Sequence, residues 1–170
     1  MHELYNNIHY FSYLLLFSNT TLIGCGVHAP KFYHVENCPS WAEAEIFEAE
    51  KTLEKALDSN LFTASKDLGI SIRCRELPDF KENRRCKTLS GEMIACAVYD
   101  KYIEINLDLY KHYTARRSIV LHEFGHLLGI LDHSPYPEDV MFHAYDKKED
   151  EKELTFNDIF MMKTAMKERE

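Results

Sequence analysis

Positive charge is scarce in this sequence. Lys and Arg number 20 against 28 Asp and Glu, a net charge of −8, which makes a nucleic-acid backbone a poor partner. No internal repeat or long low-complexity stretch is visible, which excludes a solenoid or a largely disordered chain. No apolar run is long and unbroken enough for a convincing transmembrane helix. The five cysteines contain no C-x-x-C pair, which argues against a cysteine-rich zinc site. What is present fits one globular domain with a sizeable core: 170 residues, 45% hydrophobic and 12% aromatic.

The first 25 residues differ from the rest. Residues 11–23 are mostly apolar, broken by Ser18, Asn19, Thr20 and Thr21, and Glu3 is the sole charged side chain before Cys25. Leu22-Ile23-Gly24-Cys25 resembles the end of a bacterial lipoprotein signal, although no Lys or Arg precedes the apolar core. The resemblance implies a signal peptide at 1–24, a tether at 25–39 and a domain at 40–170. It also implies a lipid on Cys25 that anchors the protein to a bacterial membrane on its extracytoplasmic side, in the periplasm or at the cell surface. Removing Cys25 leaves Cys38, Cys74, Cys86 and Cys96, an even set that suggests two disulfides. Cys74 with Cys86 would clip the polar loop between them and contribute roughly 3 kcal/mol. The alternative is a cytosolic chain with four free thiols.

Ser40-Trp41-Ala42-Glu43 is a capping-box pattern. It predicts a helix over 41–57 with Ile46, Phe47, Leu53, Ala56 and Leu57 inward. Residues 69–75, 92–99 and 102–107 read as strands, the first and last with clear alternation. Residues 76–89 and the mixed-charge run 147–153 read as solvated loops. Thr155-Phe156-Asn157-Asp158 opens a last helix through about residue 167, with Ile159, Phe160, Met162 and Met166 inward.

The chemistry lies in 119–133. His122-Glu123-Phe124-Gly125-His126 is H-E-x-x-H. On a helix, residues four apart share a face, so two imidazoles reach one metal ion and Glu123 points at a water beside it. Thr114 is placed to cap this helix, and Gly129 to end it. His122 to Ser134 is similar to the H-E-F-G-H-x-L-G-L-D-H-S signature of the matrixins, within the metzincin zinc endopeptidases, with one extra residue between Gly129 and Asp132-His133-Ser134. The resemblance implies an α+β metzincin-like fold: a twisted mixed sheet on an N-terminal helix and the active-site helix, then a small C-terminal subdomain. Residues 92–99 would be an edge strand that holds an extended peptide.

It further implies one catalytic Zn²⁺, Met141 as the methionine under the metal, and Tyr145 in the substrate pocket. His143 stands where matrixins have proline. A matrixin-type cysteine switch and the clusters for a structural zinc or calcium are not found. Two registers compete for the third ligand. Counting from Gly129 gives Asp132, and counting back from Met141 gives His133. The short segment after Gly129 has little slack, whereas the loop before Met141 can absorb a residue, which favours Asp132.

The expected function is zinc-dependent endopeptidase action on a peptide or protein substrate by a monomer, with Glu123 as general base. One alternative is a non-catalytic, zinc-stabilised lipoprotein that binds a peptide or protein. Another is an intracellular peptidase.

Overall fold

The structure, a computed structural model, describes residues 31–76, 93–99 and 101–168. The lipoprotein-type segment, Cys25, Cys86 and nearly all of the polar loop at 76–89 lie outside the described residues.

In chain order the elements are β1 (Lys31–Glu36), α1 (Ser40–Leu57), β2 (Phe62–Ala64), β3 (Ile70–Arg75), β4 (Ala95–Val98), β5 (Tyr102–Asn106), a single turn α2 (Leu107–Tyr110), α3 (Arg116–Leu128) and α4 (Phe156–Lys167). The strands form one sheet in the order β2-β1-β3-β5-β4. Pairing is parallel except for β4, which runs antiparallel to β5 at the sheet edge. This is a mixed α+β fold.

Helix α1 packs on α3, and α3 lies against β4. Ile46 and Leu53 from α1, Ile72, Ile103 and Ile105 from the sheet, and Leu121, Phe124 and Leu127 from α3 are fully buried. Each such side chain contributes about 1.5–3 kcal/mol of burial. Tyr33 stands edge-on to Phe62 and Phe124 and donates its hydroxyl to Glu50 at 2.6 Å. Helix α3 is therefore gripped on its apolar side by both layers.

Several sequence expectations are corrected. Residues 31–36, read as tether, form β1, which is paired on both sides by β2 and β3. Its partners lie far along the chain. Strand β2, three residues long, gave no pattern to read. Ser40 is the first residue of α1, not its cap. Pro39 occupies the cap position, and its carbonyl accepts from Ala42 and Glu43. On α1 the buried stripe runs through Ala42, Ile46, Ala49, Leu53 and Leu57, leaving Phe47 at the surface. Phe160 is 61% exposed, so Met162 is the inward anchor of α4. Cys74 bonds Cys38 rather than Cys86. The parallel register pairs Glu36 with Arg73, which brings Cys38, two residues past β1, beside Cys74 near the end of β3. Cys96 is also disulfide-bonded.

Among the described residues no helix is long and apolar enough to cross a membrane.

Candidate metal centre

Helix α3 is buried on nearly every side from Ser118 to Gly125, so its polar residues need partners supplied by other elements. It ends in a Schellman motif: Gly129, with φ +106°, donates to the carbonyl of His126, and Ile130 donates to that of Gly125. His126 Nδ1 donates to the Ile130 carbonyl at 2.7 Å, so the same turn that stops the helix orients this imidazole. His122 Nδ1 donates to the Val140 carbonyl at 2.9 Å. Both rings thus carry their proton on Nδ1 and present an Nε2 lone pair, and these two nitrogens face each other at 3.1 Å. Burial first, then the nearby His126, pushes His122 down to about 3. Burial likewise lowers His126. Two neutral imidazoles aiming lone pairs at one point is an arrangement a cation resolves.

The third nitrogen comes from His133, whose ring centroid is 5.1 Å from each of the other two. One ligand atom from each of the three histidines lies within 4.8 Å of the others. Zinc bound tetrahedrally by imidazole holds its nitrogens about 3.3 Å apart. The donor set therefore fits zinc with small side-chain adjustment.

Asp132, favoured from the sequence, is not part of this group, although it and His133 are both exposed. The extra residue is absorbed on the helix side. Ile130 is fixed by the Schellman motif. Ser134 is fixed by a backbone bond to the Met141 carbonyl, a bridge to Phe142 and a hydroxyl bond to Asp139. Between those anchors the chain bulges outward, leaving Leu131 77% exposed and carrying Asp132 with it. The loop expected to absorb the residue is the part held at both ends.

Glu123 is buried beside this group. Burial pushes its carboxyl up to about 8, and the nearby Ala97 amide of the edge strand opposes that rise. Its Oε2 has no hydrogen-bond partner. A cavity of about 380 Å³ runs between β4 and the segment after Met141, and Glu123, the three histidines, Tyr113, His143 and Tyr145 line it.

Met141 lies fully buried under α3, its sulfur 2.3 Å from where a Cβ on Gly125 would stand. Tyr145 donates its hydroxyl to Val140 at 2.7 Å and to Ser118 at 3.3 Å. Asp158, at the start of α4, accepts from the amides of Val140 and Met141, both at 3.0 Å. The predicted Thr155–Asp158 capping box is present, and the same aspartate serves both ends of this contact.

The charge run 147–153 is the largest departure from the sequence reading. Thr114 does not cap α3; its hydroxyl donates to the carbonyls of Lys147 and Glu149. The cap is Glu151, whose carboxylate accepts from the amides of Arg117 and Ser118 and from the Ser118 hydroxyl. Lys152 is buried. In a run of seven mixed charges, nothing local distinguishes these two from their solvated neighbours.

The peptidase M10 family, Matrixin, matches residues 33–165. No curated protein sequence matches the chain. Among solved structures, the archaemetzincin from Methanopyrus kandleri superposes with a TM-score of 0.59 at 10% identity, covering 86% of this chain and 99% of the other. That likeness establishes the shared fold. With a family match across most of its length and three imidazoles converging beside a buried glutamate, the chain belongs to the matrixin family of zinc metallopeptidases.

Proposed function

We propose that the protein is an endopeptidase that cuts extended peptides at the His122–His126–His133 centre, with Glu123 as general base. The observation that carries this reading is the Glu123 carboxylate. It is buried in the cavity wall next to the three imidazoles, with Oε2 unpartnered. A site that used metal for stability alone has no need of an uncommitted carboxylate there.

His122, His126 and His133 would hold the ion through their Nε2 or remaining ring nitrogens, with the carbonyls of Val140 and Ile130 fixing two of the rings. When bound, zinc supplies a Lewis acid that polarises the scissile carbonyl and acidifies water. Ionised by the cation beside it, Glu123 would take the proton of the attacking water at Oε2 as the water oxygen bonds the scissile carbon, and deliver it to the leaving amine. Strand β4 offers its outer edge along the cavity, through Ala95 and Ala97, to an extended chain. The segment 143–145 forms the opposite wall, where the side chain following the cut would sit.

The same proposal includes a monomer, exported and held on a membrane by lipid on Cys25. The Cys38–Cys74 disulfide supports an oxidising compartment.

The test uses peptides blocked at both ends. They should be cleaved internally, and chelation should abolish the reaction. Glu123→Ala should keep metal and fold yet lose several orders of magnitude in kcat. Wild-type rates from this variant would refute the base. Release of single residues from free N-termini only would make the protein an exopeptidase.

A further inference from the structure

The cavity wall that faces β4 is a loop, and its position is set from behind. Residues 135–138 are all exposed, so packing does not hold the start of this segment. It is held by the Tyr136 amide on Ser134 Oγ, by the Asp139 amide on the Tyr136 carbonyl, and by the ammonium of Lys152, whose side chain is only 7% exposed. The ammonium donates to the carbonyl of Pro137 at 2.6 Å and of Asp139 at 3.4 Å, and pairs with Glu149 at 3.1 Å. An ammonium has three donors, and these three oxygens take them all. The charge also sits over the Tyr145 ring, 4.5 Å from its centroid, and near that of Phe142 at 5.4 Å. The Lys152 backbone is tied to the first turn of the active-site helix, its amide donating to Ser118 Oγ at 2.7 Å. One residue therefore links the helix that carries the histidines to the wall that carries Tyr145.

We propose that Lys152 is a positioning residue for the substrate pocket, setting where Tyr145 stands and so which side chain after the cut the cavity accepts. Burying an ammonium is costly, and a well-packed apolar residue would stabilise a core as well or better. Here every partner of the charge lies on the wall or, as Glu149, in the 147–153 segment behind it, so its specific effect falls on wall placement. Lys152 touches neither substrate nor the reacting atoms; it acts through Tyr145 and the 137–142 backbone. The inference rests on the peptidase reading above, and its test is built so that the two can fail separately.

The probes are blocked peptides that differ only in the residue after the cut, from Ala through Leu to Phe. Lys152→Met should raise KM by about fivefold or more for the Leu and Phe peptides, with little change for Ala and kcat within about twofold throughout. The cobalt-substituted protein should keep its absorption spectrum, showing an undisturbed histidine centre. A KM change that is absent, or equal for all three peptides, overturns the proposal. Should Lys152→Met not fold, Glu149→Gln removes the ion partner and leaves the carbonyl bonds, and it should give the same selective shift at smaller size. No selectivity there is equally fatal. If the wild type cleaves none of the peptides, the peptidase reading is the one that fails. Anisotropy of labelled peptides on Glu123→Ala, with and without Lys152→Met, still reads the pocket. Loss of discrimination between Ala and Phe supports the wall role, and unchanged discrimination refutes it.

Discussion

His122 and Val140 are joined across 18 residues by a 2.9 Å hydrogen bond from the imidazole Nδ1 to the backbone carbonyl. The peptide group that provides this carbonyl also carries the Met141 amide, which donates to Asp158. A carboxylate on the last helix is thereby coupled to a ligand imidazole through a single amide.

Asp158→Ala should break that coupling. Three amides, those of Val140, Met141 and Thr155, lose a buried acceptor, at a cost of about 3 kcal/mol in stability. Zinc affinity should fall by about 10- to 100-fold, because the ring is no longer held in one tautomer and direction. Chemical denaturation and a competitive zinc titration measure the two effects. A variant with unchanged affinity would mean that the Val140 carbonyl holds its place without the carboxylate.

A second titration addresses the third ligand. His133→Ala should lower zinc affinity by orders of magnitude, while Asp132→Ala should leave it within about threefold, as expected of an exposed carboxylate outside the coordinating set. The reverse ranking would return the site to Asp132.

Gly125→Ala should be costly although alanine favours helix. A Cβ there meets the Met141 sulfur at 2.3 Å and the Met162 methyl at 3.3 Å, both side chains fully buried. The helix gains about 1 kcal/mol from the exchange, and overpacking costs about 1–3 kcal/mol or more. The net expectation is a lower Tm and weaker zinc binding, since Met141 is pushed against the turn that holds His122. Calorimetry of the metal-free protein separates the packing effect from the metal effect.

Asp139 predicts behaviour in acid. Burial alone would raise its carboxyl, but bonds from Ser134, Thr155 and Asn157, with the Lys152 cation, hold it below the usual carboxylate range. A depressed native pKa means the folded state favours the ionised form. The resulting stability is complete above the unfolded value of about 3.9 and is lost as the pH falls through the native value. Asp139→Asn should lower stability near neutrality and flatten its fall below about pH 4, as followed by circular dichroism. An unchanged acid slope would remove Asp139 from the account.

What could be read in the sequence was local. The spacing of His122, Glu123 and His126, the glycine stop at Gly129 and the Thr155–Asp158 box each depend on residues within a turn of one another, and each forms as expected. Strand β1 was hidden because its pairing partners lie in β2 and β3, and its own alternation through Phe32, Tyr33 and His34 is weak. The site of the extra residue was hidden for a related reason. Slack counted along the chain pointed to the loop before Met141, but Ser134, Asp139 and Asn157 tie that loop to α4. Glu151 and Lys152 looked like solvent charges because their partners, Ser118 and Pro137, are more than a dozen residues away.

The cap that Glu151 places on α3 also imposes an order of events. The H-E-x-x-H stretch leaves the ribosome well before His133, Val140 and Glu151, and until those follow, α3 lacks its N-terminal cap, the carbonyl that orients His122 and the third imidazole. A chain stopped short of residue 133 would carry the whole motif and still lack its third imidazole. Assembly of the centre thereby waits on residues well downstream of the motif itself.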